Sequence, residues 1–163
     1  MKNNNTSPED VINQLLQKWQ DNKYDLPVAV LDDDVDITQD NGEGFQAALF
    51  LFWSVKTKVL EGEYQTKVEG FIPNNPLSHS ALALFMRNSI GDDLYPNIYR
   101  DKYKDFVVDY LSFSRSWKYN YYEDIAELFP EAAEFFDIEQ TSENYEKILG
   151  QIDLRLKEWE LQL

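Results

Sequence analysis

The sequence predicts a mainly α-helical protein: one domain, built as a bundle of about six or seven helices with a possible small β element. A chain of 163 residues usually forms one domain, and a hydrophobic content of 43% is enough to supply one core. Apolar residues recur at helical spacing along most of the chain, and several of these segments start at a capping residue and stop at glycine or proline. No internal repeat or linker divides the sequence, so residues 1–163 are predicted to form a single domain.

The first helix is predicted over Pro8 to Asn22. Ser7 is a typical N-cap, Pro8 suits the first helical position, and two acidic residues follow in the first turn. An apolar stripe then runs along the helix through Val11, Leu15, Leu16 and Trp19. The next apolar segment, Leu26 to Leu31, is short enough to be a strand.

Residues 45–72 fit two structures. From Phe45 to Leu60 the apolar residues lie on nearly every side of a helix, which predicts a central, largely buried helix. The segments 55–59 and 64–72, separated by Glu61-Gly62-Glu63, also fit the alternation of a β-hairpin. We prefer the helical interpretation and leave the hairpin open.

Two amphipathic helices are predicted between residues 78 and 111. Ser78 can cap a helix that ends near Gly91, because glycine commonly terminates helices. A second helix follows Pro96, and its buried stripe is formed by Tyr99, Tyr103, Phe106 and Tyr110.

The remaining chain is predicted to hold two more helices and a short turn. A helix from Tyr121 to Phe129 stops before Pro130, and residues 131–136 add a turn or two. The last helix is capped by Thr141 or Ser142. Its apolar residues, at successive spacings of 3, 1, 3, 4, 3 and 4, are Tyr145, Ile148, Leu149, Ile152, Leu156, Trp159 and Leu163.

The net charge of −15 is concentrated in two stretches that contain acids and no Lys or Arg. Residues 24–55 carry seven acids, including Asp32, Asp33, Asp34 and Asp36, and residues 119–146 carry nine. A concentrated negative field speeds encounter with a cationic partner and repels nucleic acid and anionic membrane. The charge pattern therefore predicts a basic protein partner, and neither a nucleic acid nor a membrane.

Motifs for catalysis and cofactor binding are missing from the sequence. The chain has no cysteine, so thiolate nucleophiles and sulfur-ligated zinc are excluded, and no Gly-x-Gly-x-x-Gly or Gly-x-Ser-x-Gly pattern occurs. His79, the only histidine, follows Ser78, whose hydroxyl is explained by helix capping. The sequence predicts no catalytic residue and no cofactor. The absence of a signal peptide, an apolar 18-residue run and cysteine is typical of a cytoplasmic protein.

The acidic loop that follows Leu31 suggests a calcium site, but its register is wrong. An EF-hand loop needs glycine five positions after its first Asp, and the residues five positions before Gly42 and Gly44 are Ile37 and Gln39. We therefore expect no metal there. The carboxylates Asp32, Asp33, Asp34 and Asp36 are predicted to contact a partner or to remain solvated.

Tyrosines are concentrated between residues 95 and 122. Tyrosine combines a large apolar face with a hydroxyl group and is common in protein interfaces. Tyr119, Tyr121 and Tyr122 lie at the head of the second acidic stretch, next to Glu123, Asp124 and Glu127. These six residues, together with the Asp32–Asp36 carboxylates, are the predicted partner-binding residues, although burial of the tyrosines in the core is the competing interpretation.

A tyrosine pair beside clustered acids resembles the bacterial immunity proteins that neutralise toxins. In the colicin type a Tyr-Tyr pair and neighbouring acidic residues contact the toxin, and the counterparts here are Tyr121-Tyr122 with Glu123, Asp124 and Glu127. This chain is longer than the colicin immunity proteins, and Glu123 stands where they have proline. In size and character it is more similar to immunity proteins of contact-dependent growth inhibition and other polymorphic toxin systems.

The resemblance implies a protein that binds and neutralises a basic toxin domain, most simply a nuclease. Nucleases carry basic grooves that bind phosphates. An acidic inhibitor therefore associates with a nuclease faster and binds it more selectively. Two alternatives remain open: a nucleic-acid mimic of the anti-restriction or anti-CRISPR type, and a metal-dependent enzyme with carboxylate ligands only. The oligomeric state is not predicted.

Overall fold

The computed structural model describes residues 6–31, 44–74, 77–112 and 117–163 and confirms a mainly helical chain with a small β element. Within these ranges there are seven α-helices and one two-stranded sheet. The elements are α1 (Pro8–Asn22), β1 (Ala29–Val30), α2 (Phe45–Thr57), α3 (Gly62–Glu69), α4 (His79–Ser89), β2 (Asp93–Leu94), α5 (Asp101–Leu111), α6 (Tyr121–Leu128) and α7 (Ser142–Glu160).

Helix α1 has the bounds predicted from its capping residues. The Ser7 hydroxyl accepts a hydrogen bond from the Asp10 backbone N–H at 3.1 Å, and the Asp10 carboxylate accepts one from the Ser7 N–H. This reciprocal capping box satisfies backbone donors that a helix start would otherwise leave unpaired. The apolar stripe of α1, however, is not buried by the described chain.

Helix α2 is the centre of the core. Ten of its thirteen residues are buried, because apolar side chains occur all round the helix. It packs mainly against α4 and also against α7 and α3. The prediction of a central buried helix is confirmed.

The second half of the 45–72 segment is also helical, so the hairpin alternative is wrong. Lys58 adopts a left-handed conformation with φ 60°, which ends α2. The chain then passes through Val59 and Leu60 and re-enters a helix at Gly62. Its extended backbone pairs with the chain near Tyr99, where the Arg100 N–H donates to the Val59 carbonyl at 3.0 Å.

Helix α4 begins and ends as predicted. The Ser78 hydroxyl accepts from the Ala81 N–H at 3.1 Å, and Gly91 follows the helix with φ 92°. Only glycine adopts that conformation without strain, and the Gly91 N–H donates to the Met86 carbonyl at 3.2 Å. The chain then enters β2, which pairs antiparallel with β1 so that Ala29 lies opposite Leu94.

Aromatic rings fill the core between α2, α5, α6 and α7. The Phe50 ring contacts the rings of Trp53, Tyr99, Tyr110 and Tyr121 at centroid distances of 5.1 to 6.4 Å. The predicted stripe around α5 is buried at Tyr99, Phe106 and Tyr110, whereas Tyr103 is only partly buried. Offset and edge contacts of this kind add stability beyond the area that the rings bury.

Candidate functional site

Helix α6 carries five of the ten predicted binding residues, and its start is fixed by Asn120. The Asn120 side-chain oxygen accepts from the backbone N–H groups of Tyr122 and Glu123, while its amide donates to the Ser112 carbonyl at 3.2 Å. This cap fixes the residue at which α6 begins. Residues 121, 124 and 125 then lie on the buried side, and residues 123, 126 and 127 lie on the exposed side.

Tyr121 belongs to the core, so its prediction as a surface residue is corrected. Its exposed fraction is 0%, its ring packs edge-on against Phe50 and Tyr110, and its hydroxyl donates to the Gln46 carbonyl at 2.7 Å. Burial raises the pKa of its phenol well above the usual value. The spacing of Tyr121, Ile125 and Leu128 directs Tyr121 inward, because residues four and seven positions apart share one helical face.

Asp124 is also buried, with an exposed fraction of 4%, and it too is removed from the predicted surface. Its two carboxylate oxygens accept hydrogen bonds from Arg155 Nε at 2.7 Å and Arg155 Nη2 at 2.8 Å. The Tyr110 hydroxyl donates to the same carboxylate at 2.7 Å. This bidentate ion pair joins α6 to α7 and compensates the buried negative charge.

Arg155 is a structurally important residue that the sequence-based reasoning missed. It lies among Ile152, Leu156 and Trp159, on the apolar stripe of α7. A charged residue at such a position indicates that a buried group of opposite charge in the same chain pairs with it. Hydrogen bonds to Asp124, and then to Glu158, raise the pKa of its guanidinium against the opposing effect of burial.

Tyr119 covers this ion pair from the solvent side. The Arg155 guanidinium carbon lies 3.4 Å from the centroid of the Tyr119 ring, and Trp117 meets that ring edge-on at 5.2 Å. Tyr119 remains partly exposed. The Lys118 ammonium lies 4.8 Å from the same ring centroid, so two cations already contact the Tyr119 ring.

Tyr122 lies at the boundary between core and surface. It is partly buried and its ring stacks on Phe135 at 6.3 Å, with an angle of 18° between the planes. Burial raises the pKa of its phenol to about 12. Of the tyrosine pair, only Tyr122 has surface that a partner can reach.

The exposed carboxylates between residues 119 and 146 form what we call the acidic face. Eight of the nine acids in this stretch are exposed, and Asp124 is the exception. The acidic face runs along α6, through the connection to α7 and over the first turns of α7. Its members are Glu123, Glu127, Glu131, Glu134, Asp137, Glu139, Glu143 and Glu146. Among the described residues its one ion pair to a base joins Glu143 to Lys147 at 3.6 Å.

A groove of about 660 Å³ lies within the acidic face, between the end of α6 and the start of α7. Phe129 and Ala132 contribute partly exposed apolar surface to it, and its charged lining residues are Glu131, Asp137, Glu139 and Lys147. Apolar surface combined with carboxylates suits a long cationic side chain, which has an apolar stem and a charged head.

The only histidine is a core residue next to this groove. His79 stacks on Phe45 at 3.7 Å, its Nδ1 lies 3.0 Å from the Tyr145 hydroxyl, and its Nε2 lies 2.8 Å from the Ile138 carbonyl oxygen. A carbonyl oxygen can only accept, so Nε2 carries the proton and donates to Ile138. His79 thereby connects α4 to the segment that forms the groove.

The carboxylates Asp32, Asp33, Asp34 and Asp36 lie outside the described residues. Their predicted role in partner binding therefore stays a prediction. Within the described ranges no cluster of three or more His, Asp or Glu side chains has the arrangement of a metal site. In the same part of the chain, no helix is both long enough and apolar enough to cross a membrane.

Comparison with known proteins gives no match of significance: no family model, no curated protein and no solved structure aligns with this chain.

Proposed function

We propose that this chain is an immunity-type inhibitor that binds a basic toxin domain, most simply a nuclease, through the acidic face. The observation that supports this proposal is the exposure of eight carboxylates in a 28-residue stretch that contains no Lys or Arg. Folding could have paired or buried these charges. Instead it buries one, Asp124, and leaves the others at the surface.

Exposed like charges repel one another and destabilise the compact state, so their concentration on one face has a cost without a partner. When a partner with a basic surface binds, its positive charges attract these carboxylates and offset their mutual repulsion. Long-range attraction raises the association rate, and it selects against partners with acidic or neutral surfaces. A nuclease is the simplest partner of this kind, because its substrate groove must be basic to hold phosphates.

The groove favours an immunity-type inhibitor over a nucleic-acid mimic, whose binding would rest on charge alone. A nucleic-acid mimic needs carboxylates at the positions of phosphates, and it has no need of apolar depressions between them. The groove offers the partly exposed side chains of Phe129 and Ala132 beside three carboxylates and one ammonium group, that of Lys147, and this net negative lining fits an inserted Lys or Arg side chain. Tyr122 lies on the same part of the chain and supplies a partly exposed aromatic edge.

The test requires the cognate domain, and genomic neighbourhood identifies the candidate. We expect an adjacent gene to encode a large secreted protein with a variable C-terminal domain. That domain, purified with this chain, should form a complex whose association rate falls with added salt. We expect the double substitution Glu123→Lys/Glu127→Lys to slow association about tenfold at low salt. Both residues are exposed, so the fold should be retained.

The matched control is Glu61→Lys/Glu63→Lys. Glu61 and Glu63 are exposed at the start of α3, and the substitution changes the net charge by the same amount. If both double variants slow association equally, net charge alone acts and the acidic face has no special role. If neither variant changes the rate, the proposed interface is wrong.

A further inference from the structure

Lys147 places a positive charge in the lining of the groove within the acidic face. The described residues that line this groove include three acids, Glu131, Asp137 and Glu139, and Lys147 is the one base among them. The exposed fraction of its side chain is 50%, so a bound partner can reach the ammonium group. Such a base calls for an explanation, because a surface that attracts a basic partner is weakened by a positive charge at its groove.

Interactions within the chain account for this base only weakly. Of the residues that the structure describes, Glu143 alone forms an ion pair with Lys147, at 3.6 Å, and the Glu143 side chain is 81% exposed. A Glu four positions before a Lys is a favourable helical pair, but exposed pairs of this kind contribute little to stability. The three carboxylates of the groove form no ion pair with Lys147, so they and the ammonium group all remain available to a partner.

The ammonium group and the carboxylates lie on parts of the chain that are attached to each other. Asn144 also lines the groove and lies three positions before Lys147, on the same side of α7. Its side-chain amide donates to the Glu139 carbonyl at 2.9 Å, and its backbone N–H donates to the Thr141 hydroxyl at 3.2 Å. These bonds hold the segment that carries Glu139 against the first turn of α7. The groove therefore presents charges of both signs in a fixed arrangement.

We infer that Lys147 is a specificity-determining residue of the acidic face and that it pairs with a carboxylate of the partner. This inference rests on the function proposed above. The partner is then a basic protein that carries an Asp or Glu among its Lys and Arg side chains, at the point that meets the groove. A basic protein without that carboxylate would leave Lys147 buried without a partner or opposed to another base, and both arrangements weaken binding.

This role of Lys147 differs from the role of the net charge. The acidic face attracts any basic surface over a distance, so attraction alone does not distinguish one basic protein from another. Lys147 slightly weakens the attraction of all of them, and only a partner with a carboxylate opposite the ammonium group compensates for this loss. Specificity is a difference between affinities, and it increases when wrong partners are repelled.

The substitution Lys147→Met tests the inference, because it removes the charge and keeps an unbranched side chain that suits a helix. Surface plasmon resonance measures its binding to the domain encoded by the adjacent gene. The variant should dissociate about tenfold faster than the wild-type chain, since the carboxylate of the partner is left without its cation. Its association should be unchanged or slightly faster, because the acidic face has lost a positive charge.

The matched control is Lys157→Met, which removes an exposed base about 15 Å further along α7 and outside the groove. It changes the net charge by the same amount and should leave the dissociation rate unchanged. A second probe is C-terminally amidated decalysine, a cationic peptide that has no carboxylate. At low salt the Lys147→Met variant should bind decalysine at least as tightly as the wild-type chain does.

Unchanged or slower dissociation of Lys147→Met from the domain would overturn the inference, and so would equally fast dissociation of Lys157→Met. Weaker binding of Lys147→Met to decalysine would also contradict it, because the substitution would then have disturbed the acidic face as a whole. The proposed function is tested separately by Glu123→Lys/Glu127→Lys. If that variant slows association while Lys147→Met dissociates normally, only the inference about Lys147 fails. If the wild-type chain does not bind the domain, both fail.

Discussion

Removal of the Arg155 guanidinium should be among the most destabilising single changes in this chain. The substitution Arg155→Met keeps an unbranched stem that ends where Nε stood, and it deletes two hydrogen bonds to Asp124 and one to Glu158. It also removes the contact with the Tyr119 ring. The Asp124 carboxylate then remains buried, with the Tyr110 hydroxyl as its one described side-chain donor.

The expected cost follows from the burial of the pair. The two side chains have exposed fractions of 10% and 5%, so solvent cannot replace the lost cation. Loss of one partner from such a pair costs about 3 to 5 kcal/mol of unfolding free energy. Asp124→Asn should cost less, because Arg155 retains Glu158 and the amide oxygen can still accept from Tyr110. The double variant should be more stable than the sum of the single effects predicts, by about 2 kcal/mol.

Urea unfolding of the four proteins, followed by circular dichroism, measures this cycle. Lys147→Met is the control: its pair with Glu143 is exposed and 3.6 Å long, and the loss should be below about 0.5 kcal/mol. A loss below about 1 kcal/mol for Arg155→Met, or strict additivity in the cycle, would refute the reasoning.

Three further outcomes are expected. Tyr121→Ala should cost roughly 3 to 5 kcal/mol of stability, whereas Tyr122→Ala should cost less and should speed dissociation of the proposed toxin complex; equal urea midpoints for the two variants would contradict their different burial. Stability should fall as the pH rises from 10 towards 12, because burial raises the pKa of Tyr122 to about 12 and the unfolded chain loses that proton first; the fall should be smaller in Tyr122→Phe, and an equal fall in that variant would contradict this. Calcium or magnesium should raise the melting temperature no more than a matched monovalent salt does, and a saturable shift that Asp34→Asn abolishes would instead indicate a metal site.

The helix boundaries were predictable where local chemistry determines them. Ser7 and Pro8 define the start of α1, and Gly91 defines the end of α4 through its positive φ. The 45–72 segment was ambiguous because its short apolar runs fit both periods. Contacts distant in sequence decide it: α2 is helical where α4 and α7 can cover all of its sides.

The candidate site was only partly predictable, and the errors have one cause. Tyr121 and Asp124 were grouped with their neighbours by position in the sequence, whereas helical spacing separates Tyr121 from Glu123 and Glu127. The apolar spacing around Tyr121 was a usable signal for its burial. The burial of Asp124 was not visible locally, since its compensating charge, Arg155, lies 31 positions further along the chain.

The hydrogen bond between His79 and the Ile138 carbonyl bears on the energetics of recognition. It attaches one wall of the groove to the same buried cluster that holds Phe45 and Tyr145, so the groove exists before any partner arrives. A partner side chain that enters the groove need not order a loop, because the segment that lines the groove already lost its conformational entropy during folding. A preformed groove therefore needs fewer contacts for tight binding than a flexible loop of the same composition does.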